Sequence, residues 1–152
     1  MAYWLLKTEP DECSIDDLAA QPNKPVVWEG VRNYQARNFL REMQVGDEVL
    51  IYHSSCKLIG VAGVARLARG VYPDPAQFDP ESPYFDPKSV RASPRWDAVN
   101  VVFVRRFTQL LSLDELRSNP ALVDLALVKK GNRLSVMPVA EKEWVAIVTG
   151  IG

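Results

Sequence analysis

The stretch EVLIYHSSCKLIGVAGVARL, residues 48–67, decides how this chain folds. Residues 48–53 are dominated by β-branched and aromatic side chains and read as a strand. Ser54-Ser55 breaks it, and residues 58–67 form a second strand directly afterwards. Gly60 and Gly63 inside that strand mark a bulge, a sharp bend or a close backbone approach, as at barrel corners. Residues 96–107, rich in valine, add a long strand. Strands that follow one another in this way exclude a doubly wound βαβ fold. The expected class is α+β: a small curved sheet or mixed β-barrel with helices packed around it.

Upstream of the turn Val45-Gly46-Asp47, Ala36, Phe39, Leu40 and Met43 fall at i, i+3, i+4 and i+7, the stripe of an amphipathic helix, and Asn33 is its N-cap. Residues 3–7 form a first strand that Pro10 stops. Ser14 and Asp17 make a capping box for a short helix with Ile15, Leu18 and Ala19 on its apolar face. Pro22 and Pro25 separate that helix from Val26-Val27-Trp28, a strand ending at Trp28. Downstream, residues 71–94 carry Pro73, Pro75, Pro80, Pro83, Pro87 and Pro94, so no regular element is expected there. Tyr72, Phe78, Tyr84 and Phe85 make the segment too apolar for a linker, and an ordered loop folded over the body is expected. Ser112 with Glu115 forms a second capping box, Asn119-Pro120 starts another short helix, residues 135–137 form a strand, and residues 140–150 a helix with Trp144, Ile147 and Val148 on one side. Trp4 and Trp144 read as core.

The chain of 152 residues, 47% hydrophobic and 24% charged, fits one domain over 1–152. A net charge of -1 argues against coating duplex DNA by charge alone, yet leaves base recognition in a pocket open. The N-terminus has no basic leader and no stretch is apolar enough to span a bilayer. Cys13 and Cys56 form no CxxC pair, so neither a disulfide framework nor a zinc site is expected. A cytoplasmic protein with no metal, no cofactor and no membrane partner, monomeric by preference, is the expectation.

Several segments together resemble a known family: Tyr-Trp-Leu-Leu-Lys-Thr-Glu-Pro at 3–10, Trp-Glu-Gly-Val-Arg-Asn-Tyr-Gln-Ala-Arg-Asn at 28–38, Val-Leu-Ile-Tyr-His-Ser at 49–54, Tyr-Pro-Asp at 72–74 and Arg-Leu-Ser-Val-Met-Pro-Val at 133–139. In this order, over nearly the whole chain, they are similar to the EVE-domain family. The resemblance implies a PUA-like fold, a compact barrel with flanking helices, related in architecture to the YTH domains that read a methylated base in RNA. It also implies a pocket for a nucleobase, with modified cytosine in DNA the leading ligand.

A reader of one extruded base needs aromatics to stack and polar groups to read the edge. Stacking returns about 1–3 kcal/mol per base against an unstacking cost of a few kcal/mol. Trp28 is the expected stacking wall, with core packing as its other reading. Asn33 offers a donor and an acceptor to a base edge, or merely caps its helix. Tyr34, Tyr52, His53, Ser54, Lys7, Thr8, Trp96 and Ser135 complete the expected pocket. Arg32, Arg37 and Arg133 form the expected phosphate rim, since a guanidinium binds two oxygens at once. A lone histidine is most often structural, and one histidine makes no metal site.

Three rivals stand beside this reading. A small hydrolase would use Cys56 and His53, but residues so close along a strand end rarely meet with nucleophile–base geometry, and no G-x-S-x-G elbow is present. An RNA-binding PUA-like module would track the backbone along a surface. A protein-interaction domain would use the aromatic, proline-rich loop. The expected partner is modified DNA or RNA with a single base flipped into the pocket, and no catalysis.

Overall fold

Strands β3 (Glu48–His53) and β4 (Gly60–Pro73) form the antiparallel hairpin that residues 48–67 predict. The computed structural model describes residues 2–149. β4 is longer than expected and runs into the proline-rich segment, pairing along β5 (Asp97–Ser112). The β4–β5 register slips between Val61 and Gly63, Val64 and Ala65, Leu67 and Arg69, and Arg69 and Tyr72. Each slip inserts unpaired backbone and increases the local twist, so the two long strands bend. Gly63 is one price of that bend: a Cβ there would lie 2.4 Å from the Arg105 carbonyl oxygen and 2.7 Å from the Ile15 side chain.

β1 (Tyr3–Thr8) lies parallel to β3, β6 (Val136–Val139) pairs antiparallel on its far side, and β2 (Val26–Trp28) pairs antiparallel with β5. The order is β2-β5-β4-β3-β1-β6. No pairing joins β2 to β6 among the described residues, so the sheet is not closed into the expected barrel. Helix α2 (Tyr34–Glu42) packs on β6 at one edge and on β5 beside the other, where strand closure would have to form.

Both faces of the sheet are buried, and the period-two alternation of strand side chains sorts them. Trp4, Leu6, Val49 and Ile51 join Ile15 and Leu18 of α1 (Ile15–Ala19) and Ala36 and Leu40 of α2 in one core. Leu5, Leu50, Tyr52 and Met137 face the other core. There they meet Leu116 of α3 (Leu113–Ser118) and Trp144 and Ile147 of α4 (Glu141–Thr149). Trp144 stacks on Tyr3 with ring centroids 4.5 Å apart. Gly150, expected to end this helix, lies outside the described residues. None of the described helices is long and apolar enough to cross a membrane.

The caps form as the residues dictate. Ser14 Oγ accepts from the Asp17 amide while the Asp17 carboxylate accepts from the Ser14 amide, and Ser112 Oγ accepts from the Glu115 amide. Asn119 caps only a 3₁₀ turn, Pro120–Leu122, followed by another at Ala126–Val128. Leu122, Leu125 and Leu127 are all buried, and a spacing of three then two does not fit an α-helical stripe.

The proline-rich segment is ordered by Gln77, which is wholly buried in the 3₁₀ turn Pro75–Phe78. Its Nε2 donates to the Asp74 and Trp96 carbonyls, both at 2.8 Å, and its Oε1 accepts from the Arg95 and Trp96 amides, both at 3.0 Å.

Asp47, in the turn before β3, accepts from Trp4 Nε1 at 3.0 Å, the Gln44 amide at 2.9 Å and the Ala2 amide at 3.1 Å. Burial pushes its pKa up, but these hydrogen bonds outweigh it and hold the carboxyl below its ordinary value. A native pKa below the unfolded one stabilises the fold fully above the unfolded value of about 3.9, and the gain vanishes as pH falls through the native value. Asp47→Asn, which keeps the shape but not the charge, is therefore expected to lower the urea midpoint at about pH 7, with the deficit narrowing toward about pH 2. Equal deficits at both pH values would show that the charge contributes nothing.

Candidate functional site

Because β1 and β3 are parallel, with Thr8 opposite His53, both strands end on the same side of the sheet. Antiparallel β6 begins there, so the residues just before it arrive at the same place. The Lys7 amide donates to the Ser135 carbonyl and the Ser54 amide to the Thr8 carbonyl, each at 2.9 Å. The end of β2 brings Trp28, Glu29 and Gly30. A cavity of about 1070 Å³ opens between these strand ends, α1 and the proline-rich loop. That is at the upper end of the roughly 300–1,000 Å³ usual for ligand pockets.

Six of the expected residues line it: Lys7, Thr8, Trp28, Ser54, Arg133 and Ser135. Trp28 is both wall and core. It is 6% exposed and packs within the first core while bordering the cavity. Thr8 is also buried, its hydroxyl donating to the Cys13 carbonyl at 2.9 Å. Burial lowers the pKa of the Lys7 ammonium.

A second aromatic in the lining is Tyr84, from the proline-rich loop. Its ring rests on Gly30, where φ is +86° and a Cβ would come within 2.8 Å of the ring. Its hydroxyl donates to the Glu12 carboxylate at 2.6 Å, and burial together with that contact pushes its pKa up to about 12. Asp74 holds this wall. Wholly buried, it accepts from the Gly30 amide (2.9 Å), from Arg32 Nη1 (2.8 Å) and from the Ala76 amide (2.7 Å). Arg32 in turn donates to the Tyr84 carbonyl through Nη2 at 2.8 Å and Nε at 3.1 Å.

Charge is divided across the cavity. Glu9, Glu12, Asp17 and Glu29 line it along with Lys7 and Arg133. The Glu29 carboxyl is raised in pKa, first by burial and then by the nearby Asp74, with Arg32 opposing.

The other expected site residues lie elsewhere. Asn33 caps α2, its Oδ1 accepting from the Ala36 amide at 2.9 Å. Tyr34 stacks on Trp96 with centroids 4.6 Å apart, and Trp96 Nε1 donates to Asp86 at 2.8 Å. Tyr52 faces the second core. Nε2 of His53 accepts from the Ile15 amide at 3.1 Å, which requires an unprotonated nitrogen, and burial lowers its pKa accordingly. Cys56 Sγ donates to the Leu58 carbonyl, so no nucleophile–base pair joins it to His53. Of the expected phosphate rim only Arg133 borders the cavity. Arg32 is taken up by Asp74 and Tyr84, and Arg37 donates to the Arg95 carbonyl at 2.8 Å.

Sequence reasoning missed Tyr84, Glu12, Glu29 and the Asp74 hub. The apolar character of the 71–94 segment signalled an ordered cover, but no local pattern tells which of its aromatics turns inward.

A bulged six-stranded α+β domain with a broad, aromatic-walled cavity at its strand ends is the class that fold and site define. The EVE domain model matches residues 2–150, and the chain belongs to the EVE domain family. Human thymocyte nuclear protein 1 is 39% identical, the alignment covering 94% of this chain and 71% of that protein. A crystal structure of a Pseudomonas putida protein, 53% identical, matches with a TM-score of 0.94 over 97% of this chain and 98% of that one. The crystal structure of human THYN1 protein in complex with 5-methylcytosine-containing DNA matches with a TM-score of 0.92 at 38% identity, covering 98% of this chain and 96% of that one.

Proposed function

We propose that this chain binds DNA by holding one modified cytosine, flipped out of the stack, between Trp28 and Tyr84. The observation that carries the reading is the cavity itself: two aromatic walls, polar groups from four strand ends, and room for a base with its sugar. The DNA-bound human relative supports the choice of ligand. Ser54 and Ser135 supply hydroxyls for the base edge. Glu29 supplies an acceptor for the exocyclic amino group, as carboxylates do for cytosine N4. Lys7 and Arg133 take the flanking phosphate. Val26, Leu18 and Pro83, also in the lining, offer apolar contact to a 5-methyl group. Burying one methyl contributes about 0.8 kcal/mol, roughly a fourfold preference over unmodified cytosine.

The role is binding without turnover, and His53 and Cys56, each bonded to backbone, support that. The whole chain acts as one PUA-like domain in the cytoplasm, a compartment that suits free Cys13 and Cys56.

Titration of 5-methyl-2′-deoxycytidine against 2′-deoxycytidine tests this at low and high salt. The methylated nucleoside is expected to bind severalfold tighter, with little salt dependence. Indifference to the methyl group, or binding seen only with oligonucleotides and lost steeply with salt, would favour the backbone-tracking module instead.

A further inference from the structure

Ser54, on the cavity wall, opens the loop between β3 and β4. His53 pairs with Gly60, so residues 54–59 form a short loop anchored at the cavity wall through Ser54. Four residues reach at most about 14 Å, which bounds the distance from Ser54 to Leu58. Leu58 is 69% exposed and Ile59 is 37% exposed. Leu58 thus leaves most of its apolar surface in water, while the adjoining Ile59 is more than half covered. Exposed Arg133 lines the cavity from the loop that delivers Ser135; that loop also carries exposed Lys129 and Lys130, and Lys57 is exposed in the 54–59 loop. None of these four is ion-paired among the described residues. Of the acidic groups that line the cavity, Glu12 and Asp17 belong to its α1 side, Glu9 follows β1 and Glu29 follows β2. The 54–59 loop is thus apolar at Leu58 and cationic at Lys57, with Arg133 in the cavity lining, a combination that suits a duplex: phosphates to the cations, base stack to the apolar side chain.

We infer that Leu58 is a wedge that enters the DNA stack at the position vacated by the extruded base, with Lys57 and the 129–133 loop on the adjoining phosphates. The inference rests on the base-holding reading above and adds to it the partner form, duplex rather than single-stranded DNA. An extruded base leaves a gap whose unfilled faces cost a few kcal/mol of lost stacking. An exposed leucine inserted there recovers part of that by leaving water itself. A single strand has no such gap, and a nucleoside has no stack at all.

The test compares Leu58→Ala with the unaltered chain on three probes: 5-methyl-2′-deoxycytidine, a single-stranded oligonucleotide with one 5-methylcytosine, and the corresponding duplex. The duplex is expected to bind about tenfold more weakly to the variant, a loss of about 1.4 kcal/mol, with the other two probes unchanged. Lys57→Ala is expected to lower the salt slope of duplex binding by about one. Full duplex affinity in Leu58→Ala overturns the wedge and leaves the cavity reading standing. Equal loss on all three probes also overturns it, because the side chain then acts through the cavity. Failure of the unaltered chain to bind the nucleoside overturns both readings together. The leucine is exposed, so the variant is expected to keep its melting temperature.

Discussion

Trp28→Ala is expected to weaken binding of a 5-methylcytosine nucleoside by about 1–3 kcal/mol, the worth of one base stacked on an aromatic ring, roughly 5- to 150-fold. It is also expected to destabilise the fold by about 3–5 kcal/mol, the usual loss when a buried tryptophan is cut to alanine. Both effects follow from one fact: the indole is 6% exposed and packs in the first core while bordering the cavity. A wall residue standing in solvent would lose binding alone, as a pocket-only reading of Trp28 expects. Trp28→Phe separates the two losses, because it keeps a stacking face and most of the buried volume. Denaturant titration and nucleoside titration of the three proteins side by side check this. If folded Trp28→Ala binds the nucleoside at full affinity, the indole is only core.

Asp74→Ala is expected to cost about 3–5 kcal/mol of stability, the usual result of removing one partner from a buried ion pair. The carboxylate is wholly buried and serves three donors: the Arg32 guanidinium and the Gly30 and Ala76 amides. Removing it leaves a charge and two amides unsatisfied in the wall that carries Tyr84. The double variant with Arg32→Leu is expected to be less destabilised than the sum of the two single changes, because the orphaned charge leaves with the arginine. In Asp74→Ala, Arg32, which bonds the Tyr84 carbonyl, would lose the carboxylate that aims it, so nucleoside affinity is expected to fall together with stability. A loss below about 1 kcal/mol in Asp74→Ala would mean that water replaces the carboxylate and that the hub is not one.

Much of the fold is legible before any coordinate. Ser14, Asn33 and Ser112 announce their helices because a cap bonds to an amide only two or three residues on. β3 begins and ends where its side chains say, and Trp4 and Trp144 are core as their surroundings suggest. The barrel expectation failed at its edges. Closure would need β2 and β6 to meet, and the packing of α2 across β4, β5 and β6 is a contact between remote segments.

The candidate site divides along the same line. Lys7, Thr8, Trp28, Ser54 and Ser135 stand at or beside strand ends, and strand ends are visible in sequence. Arg133 borders the cavity as well, but the roles of Arg32 and Arg37 were not visible, since a guanidinium bonds to whatever acceptors the fold brings. For Arg32 these lie 42 and 52 residues away, at Asp74 and the Tyr84 carbonyl. His53 has the same fate: its acceptor nitrogen serves an amide 38 residues earlier.

The amino-acid order alone determined most of the elements, the helix caps and the α+β class, because those rest on interactions within a turn or along a strand, and the order of its motifs carried the family resemblance. Only the tertiary structure decided which aromatic joins Trp28 in the cavity lining, which arginines are taken up by distant acceptors, and whether the sheet closes. Each of those depends on pairing and packing between segments tens of residues apart, where the lowest free energy is set jointly by partners that no local pattern names.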